Sequence, residues 1–151
     1  MANLERIDRN HKELGYQDGC AYHFIINNGL PNPDGQIEES RRWTYQLAGA
    51  HVEQHTSDFN HEGIGICVVG DFTKQEITEE QYKSMLTLVR SLMDDYDIAP
   101  DRVVLHRDIN QTICPGPNFP AQRLAQDIQD WTPGYEPDLV SANLPSSATA
   151  D

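Results

Sequence analysis

Positive charge is scarce in this sequence. Its 151 residues carry 11 Lys and Arg against 24 Asp and Glu, a formal net charge of −13. A nucleic-acid-binding surface needs cations to neutralise phosphates, and anionic membranes attract basic segments. The acidic balance therefore excludes nucleic acid as a partner and argues against a charged membrane surface, while self-repulsion keeps the chain soluble. Long apolar runs are also missing. No window approaches the roughly 20 apolar residues of a membrane-spanning helix, so no membrane insertion is expected. Residues 1–10 are polar and charged, without the apolar centre of a secretory leader. Localisation stays open between the cytoplasm and a chain whose export segment is not part of this sequence. Cysteine is sparse, limited to Cys20, Cys67 and Cys114. An odd count excludes a fully paired intrachain disulfide framework. Cys67 sits in the apolar run 64–69 and reads as a small core residue.

What is present alternates between helical and strand patterns. Leu4, Ile7, His11 and Leu14 recur at helical spacing, predicting a helix over 3–14 that ends at Gly15. Residues 21–27 are rich in strand formers, and the clusters Asn27-Asn28-Gly29 and Asp34-Gly35 mark turns before a return strand over 36–39. Residues 40–62 lack periodicity and read as a long loop. The run 63–69 predicts a strand buried on both faces, as in the centre of a sheet. Thr78-Glu79-Glu80-Gln81 fits a capping box opening a long helix, with Tyr82, Met85, Leu86, Val89, Leu92, Met93 and Tyr96 on one face. Residues 103–105 predict a short strand. Pro120 opens a last helix with Leu124, Ile128 and Trp131 as its apolar stripe. The expectation is one α/β domain over 1–132 and a flexible acidic Pro/Ser/Ala tail over 133–151.

The chemistry concentrates in Leu105-His106-Arg107-Asp108-Ile109-Asn110-Gln111-Thr112-Ile113-Cys114-Pro115-Gly116. A histidine ends the predicted strand, and a cysteine returns after a polar loop. Imidazole and thiolate are both zinc ligands, and a loop of this length can bring them together. Alone, this pair is better read as a strand-end histidine and an incidental cysteine. A cysteine hydrolase built on Cys114 and His106 is disfavoured, because proline removes the next backbone N–H from any oxyanion hole.

The wider set of motifs is more specific. Asn10-His11-Lys12-Glu13-Leu14-Gly15-Tyr16, Gly19-Cys20-Ala21-Tyr22-His23-Phe24-Ile25-Ile26, Asp34-Gly35-Gln36-Ile37-Glu38, Gly49-Ala50-His51, the segment 60–72, His106-Arg107-Asp108 and Cys114-Pro115-Gly116 occur in that order. Together they resemble the zinc-dependent N-acetylmuramoyl-L-alanine amidase and peptidoglycan-recognition family, which includes amidase-type phage lysozymes. The resemblance runs from about residue 7 to about residue 124. It implies a single mixed central sheet flanked by helices, and peptidoglycan or a muropeptide as partner. It implies hydrolysis of the amide joining N-acetylmuramic acid to L-alanine, with a non-catalytic peptidoglycan-binding module as the alternative. His106 and Cys114 match two of three Zn2+ ligands. Tyr22 matches the tyrosine that assists catalysis, and Thr112 stands where members carry a lysine or threonine contacting the reacting group. His51, Asn60 and Arg42 (or its neighbour Arg41) fall in segments lining the peptide groove.

One departure is visible. The family's first ligand is a histidine on a strand preceding the helix that contains His11, and this sequence starts at that helix. The expected sheet therefore lacks that first strand, and the third protein ligand is not identified. His11, His23, His51, His55 and His61 are the histidines left to consider, and each has a structural reading of its own.

Overall fold

The computed structural model describes residues 3–53 and 58–131. The expected tail over 133–151, the domain boundary at 132 and His55 lie outside the described residues. The chain opens with helix α1 (Asn3–Glu13) and strands β1 (Phe24–Ile26) and β2 (Ile37–Glu39). Short helices α2 (Arg41–Thr44) and α3 (Asp58–Glu62) precede strand β3 (Ile66–Val68). The long helix α4 (Glu79–Tyr96), the short helix α5 (His106–Ile109) and helix α6 (Ala121–Gln129) complete the chain. A 3-10 turn spans Pro100–Arg102.

Local chemistry sets these boundaries. After α1, the Tyr16 N–H reaches the His11 carbonyl and the Gly15 N–H that of Lys12, each at 3.0 Å. That double closure needs a left-handed residue, and Gly15 supplies it at φ +96°. At the start of α4 the Thr78 hydroxyl accepts from the Gln81 N–H while the Gln81 side chain accepts from the Thr78 N–H, so the predicted capping box is formed.

The sheet is mixed, with order β2-β1-β3. β1 pairs antiparallel with β2, Ile25 opposite Glu38, and parallel with β3, Ile25 opposite Cys67. This corrects one expectation. The central strand is β1, whose three residues are all buried, whereas β3 lies at an edge with all three residues half-buried. Its apolar run packs against helical side chains instead, since Ile66 and Val68 lean on the core built around α4. The expected strand over 103–105 is also corrected. Its backbone is extended at Val103 and Leu105, but pairs with no strand among the described residues. The Val103 N–H closes the Pro100 turn, and the Leu105 N–H is taken by Asp108 Oδ2 at 2.8 Å, starting a helix in place of a ladder. Residues 40–62 contain α2 and α3 where a loop was expected. Ser40 caps α2 by accepting from the Arg42 N–H.

The core joins Ile26 of β1 and Phe72 to Tyr82, Met85, Leu86, Val89 and Met93 of α4, and to Phe119, Leu124 and Ile128 at α6. Leu124 and Ile128 face inward as the spacing predicts, with Trp131 packed alongside. Tyr96 departs from the predicted stripe. It is 52% exposed and meets the Trp43 ring edge-on at 5.9 Å.

Candidate active site

Tyr22 sits just ahead of β1, where the strand emerges from the core. Its ring lies 6.3 Å from that of His51, nearly parallel, and 6.1 Å from that of His11. Burial pushes the phenol's pKa upward, and the neighbouring Cys67, Cys114, Cys20 and Tyr16 add to this by opposing another negative charge. Tyr22 is therefore a neutral O–H donor at physiological pH.

His106 occupies the first position of α5, and its Nε2 faces Asn110 Oδ1 at 3.1 Å. An amide oxygen as acceptor puts the proton of the neutral ring on Nε2 and leaves Nδ1 as the nitrogen with a lone pair. Asn110 is buried, and its Oδ1 also receives the Glu53 N–H at 3.3 Å, tying α5 to the loop after His51. Cys114 follows on the returning loop. Its carbonyl accepts from the Arg107 N–H at 3.0 Å, and its N–H donates to the Thr112 hydroxyl at 3.2 Å. Thr112 thus shapes the turn that presents the thiol. Gly116 closes the loop at φ +112°, where an added Cβ would meet the Phe72 carbonyl oxygen at 2.7 Å. Burial raises the Cys114 pKa and the nearby Arg107 only partly offsets it. A thiolate nucleophile is not favoured there without a further cation.

Tyr22, His51, His106 and Cys114 all line one cleft of about 1210 Å³, together with His23 and Cys67. Its apolar wall includes Ile66, Val68, Met85, Val89 and Val103, between the outer edge of β3 and the extended segment 103–105. Nε2 of His51 is buried with no hydrogen-bond partner. Burial holds the His51 pKa down to about 4, with His23 and His106 acting in the same direction and the Gly63 backbone opposing them.

The other expected groove residues are placed differently. Asn60 Oδ1 accepts from the His51 and Val52 N–H groups at 2.9 and 3.1 Å, and its amide nitrogen donates to the Val52 carbonyl. Asn60 therefore fixes the loop that carries His51. Arg42 is buried, donating from Nε to the Cys20 carbonyl at 2.7 Å and from a terminal nitrogen to the Ala48 carbonyl. Neither residue lines the cleft, nor does Thr112. Arg41 lies over the Tyr45 ring at 5.4 Å. His23, one of the histidines considered for the third ligand, is a strut. Its Nδ1 accepts from the Gly65 N–H at 3.0 Å, and its Nε2 donates to the Leu47 carbonyl at 3.0 Å. The strand pattern placed it, but its partners are remote in sequence.

The donor types suit zinc, since imidazole and thiol are both ligands of that ion. Their number falls short. Among the described residues no group of three or more His, Cys, Asp or Glu side chains is arranged to hold a metal ion.

A mixed sheet backed by a long helix, with a tyrosine and a histidine–cysteine donor pair lining one cleft, defines an α/β domain of peptidoglycan-amidase type. The chain belongs to the N-acetylmuramoyl-L-alanine amidase family, whose profile matches residues 2–117. It is 33% identical over 110 residues to the endolysin of Enterobacteria phage T3, a match covering 70% of this chain and 64% of that protein. The chain thus spans just under two thirds of that relative. Among solved structures, the N-acetylmuramoyl-L-alanine amidase LysC from Clostridium intestinale superposes with a TM-score of 0.73 at 31% identity, covering 85% of this chain and 77% of that one. Human PGRP-IβC, solved with a muramyl pentapeptide, shares the fold at a TM-score of 0.62 and 19% identity, over 77% of this chain and 65% of its own. Among the described residues no helix is long and apolar enough to cross a membrane.

Proposed function

We propose that this protein hydrolyses the amide between N-acetylmuramic acid and L-alanine of bacterial peptidoglycan. The carrying observation is that Tyr22, from the approach to β1, and His106 and Cys114, from the segment 105–116, line a single cleft. In this reading His106 and Cys114 would hold Zn2+, which when bound supplies a Lewis acid and a water of lowered pKa. The remaining chemistry belongs to the chain. Tyr22, kept protonated by burial, donates to the oxyanion that forms on the amide carbonyl. Neutral His51 lies against Tyr22 with its ring packed on Gly49 and Gly65, and so backs the phenol from behind. Asn110 fixes the His106 ring, and Thr112 fixes the loop bearing Cys114. Asn60 and Arg42 serve substrate indirectly, by holding the cleft's loop in place. The cleft's apolar wall excludes water from part of the bound muropeptide.

The donor count supports a second reading, peptidoglycan binding without hydrolysis, since two protein ligands hold zinc weakly. The deciding experiment incubates the protein with a purified disaccharide-peptide, with added Zn2+ or with chelator. Release of free peptide and intact disaccharide, abolished by chelator, supports the amidase. Binding without release supports the second reading, and neither outcome removes both.

A further inference from the structure

Helix α1 contributes to the cleft without lining it. Two of its side chains reach the backbone just ahead of β1. Asp8 Oδ1 accepts from the Cys20 N–H at 3.0 Å, and His11 Nδ1 accepts from the Ala21 N–H at 2.9 Å. Both bonds fall immediately before Tyr22 and hold the N–H side of the segment, while Arg42, the Ala50 N–H and the Ser40 hydroxyl donate to the carbonyls of Cys20, Ala21 and Tyr22. The His11 ring also touches the Tyr22 ring on one side and the Tyr16 ring on the other, at 6.1 and 5.5 Å between centroids. Gly19 permits this approach. It sits at φ +73°, and a Cβ there would collide with the Asp8 carboxylate. Lys12 pairs with Asp8 at 2.7 Å, one turn along the helix, and holds the carboxylate in place.

We propose that His11 is a positioning residue for Tyr22, setting the phenol's direction through the Ala21 N–H and through ring contact. This rests on the reading of Tyr22 as the group that assists amide hydrolysis. An acceptor at Nδ1 requires the neutral ring, and burial, with Arg42 nearby, favours that form against the opposing pull of Asp8. The role is orientation, so its loss acts on turnover more than on binding. Misplacing a catalytic group by about 1 Å costs up to roughly a hundredfold in rate.

The test compares His11→Ala, which removes the acceptor and the ring, with His11→Asn, whose side-chain oxygen can stand near the place of Nδ1. Turnover and KM on a disaccharide-peptide are measured beside the NMR signals of 13C-labelled tyrosine, with Tyr22 assigned through Tyr22→Phe. His11→Ala should lower kcat roughly ten- to a hundredfold with KM little changed, and shift or broaden the Tyr22 resonance. His11→Asn should recover most of both. A Tyr22 resonance unmoved by His11→Ala in a folded protein overturns the positioning role. So does an Asn variant that recovers neither readout. If the wild type cleaves nothing, the amidase reading fails, while the resonance still decides whether His11 orients Tyr22.

Discussion

The rings of Tyr22 and His51 lie 6.3 Å apart with planes only 15° from parallel. One comes from the approach to β1, the other from a loop pinned by Asn60, so the pair joins two independent segments at the cleft. A neutral phenol held this way is a directional donor. Tyr22→Phe removes only the hydroxyl and keeps the ring contact. It should lower kcat roughly a hundredfold, as loss of one oxyanion donor does, with little change in KM. Steady-state kinetics on a disaccharide-peptide checks this, and an effect confined to KM would remove Tyr22 from the catalytic step.

Acid should loosen the fold through its buried histidines. His11, His23 and His51 all have pKa values lowered by burial from 6.5, His51 to about 4. The unfolded chain therefore binds more protons than the folded one between these values. Stability from these groups is complete above about pH 6.5 and is lost as pH falls towards 4. For His51 alone the full shift corresponds to on the order of 3 kcal/mol. Urea midpoints measured in metal-free buffer from pH 7.5 to 4.5 should fall steadily, and His51→Gln should flatten the slope. Equal slopes in the two proteins would show that His51 is not the neutral, desolvated group its surroundings indicate.

The sequence shows the helices and the donor pair more plainly than the sheet. The Thr78–Gln81 box and the stripe from Tyr82 to Met93 are local signals, and both elements formed where the spacing put them. The edge position of β3 was illegible, because an apolar run records burial without saying whether helices or strands provide it. Residues 103–105 look like a strand by composition, yet a strand needs a partner ladder, and Asp108 takes the Leu105 N–H first. At the site, the motifs singled out Tyr22, His106 and Cys114, and all three line one cleft. They could not reveal that Arg42 and Asn60 are hydrogen-bonded to backbone, because such partners follow from tertiary contact.

That bonding makes a separable prediction. Asn60→Ala leaves the His51 and Val52 N–H groups without their acceptor, and Arg42→Ala strips the Cys20 and Ala48 carbonyls of their donor. An abandoned buried polar group costs about 1–3 kcal/mol. Each variant should therefore lower the unfolding free energy by about 2 kcal/mol and weaken muropeptide binding only as the loop loosens. Asn60→Asp, which keeps the accepting oxygen, should restore much of the stability. Variants that bind muropeptide poorly at unchanged stability would instead assign Asn60 and Arg42 direct contact with substrate.

Zinc retention should depend on Cys114 and His106, the donor pair proposed to hold the ion. Cys114 is exposed as a residue, and serine is close to it in size, so Cys114→Ser should leave the fold and the melting temperature of the metal-free protein little changed. A hydroxyl is a far poorer zinc ligand than a thiolate, and the site would fall to one good donor. Metal analysis after dialysis against buffer with micromolar Zn2+ should then drop to background. Asn110→Ala should weaken retention less, by roughly 10- to 100-fold in affinity, because it frees the His106 ring without removing it. Near-stoichiometric zinc in the wild type requires a third donor beyond this pair, and its identity would follow from which histidine variant also loses the metal. Zinc that persists in Cys114→Ser would place the ion elsewhere, and the hydrolytic reading would lose its metal centre.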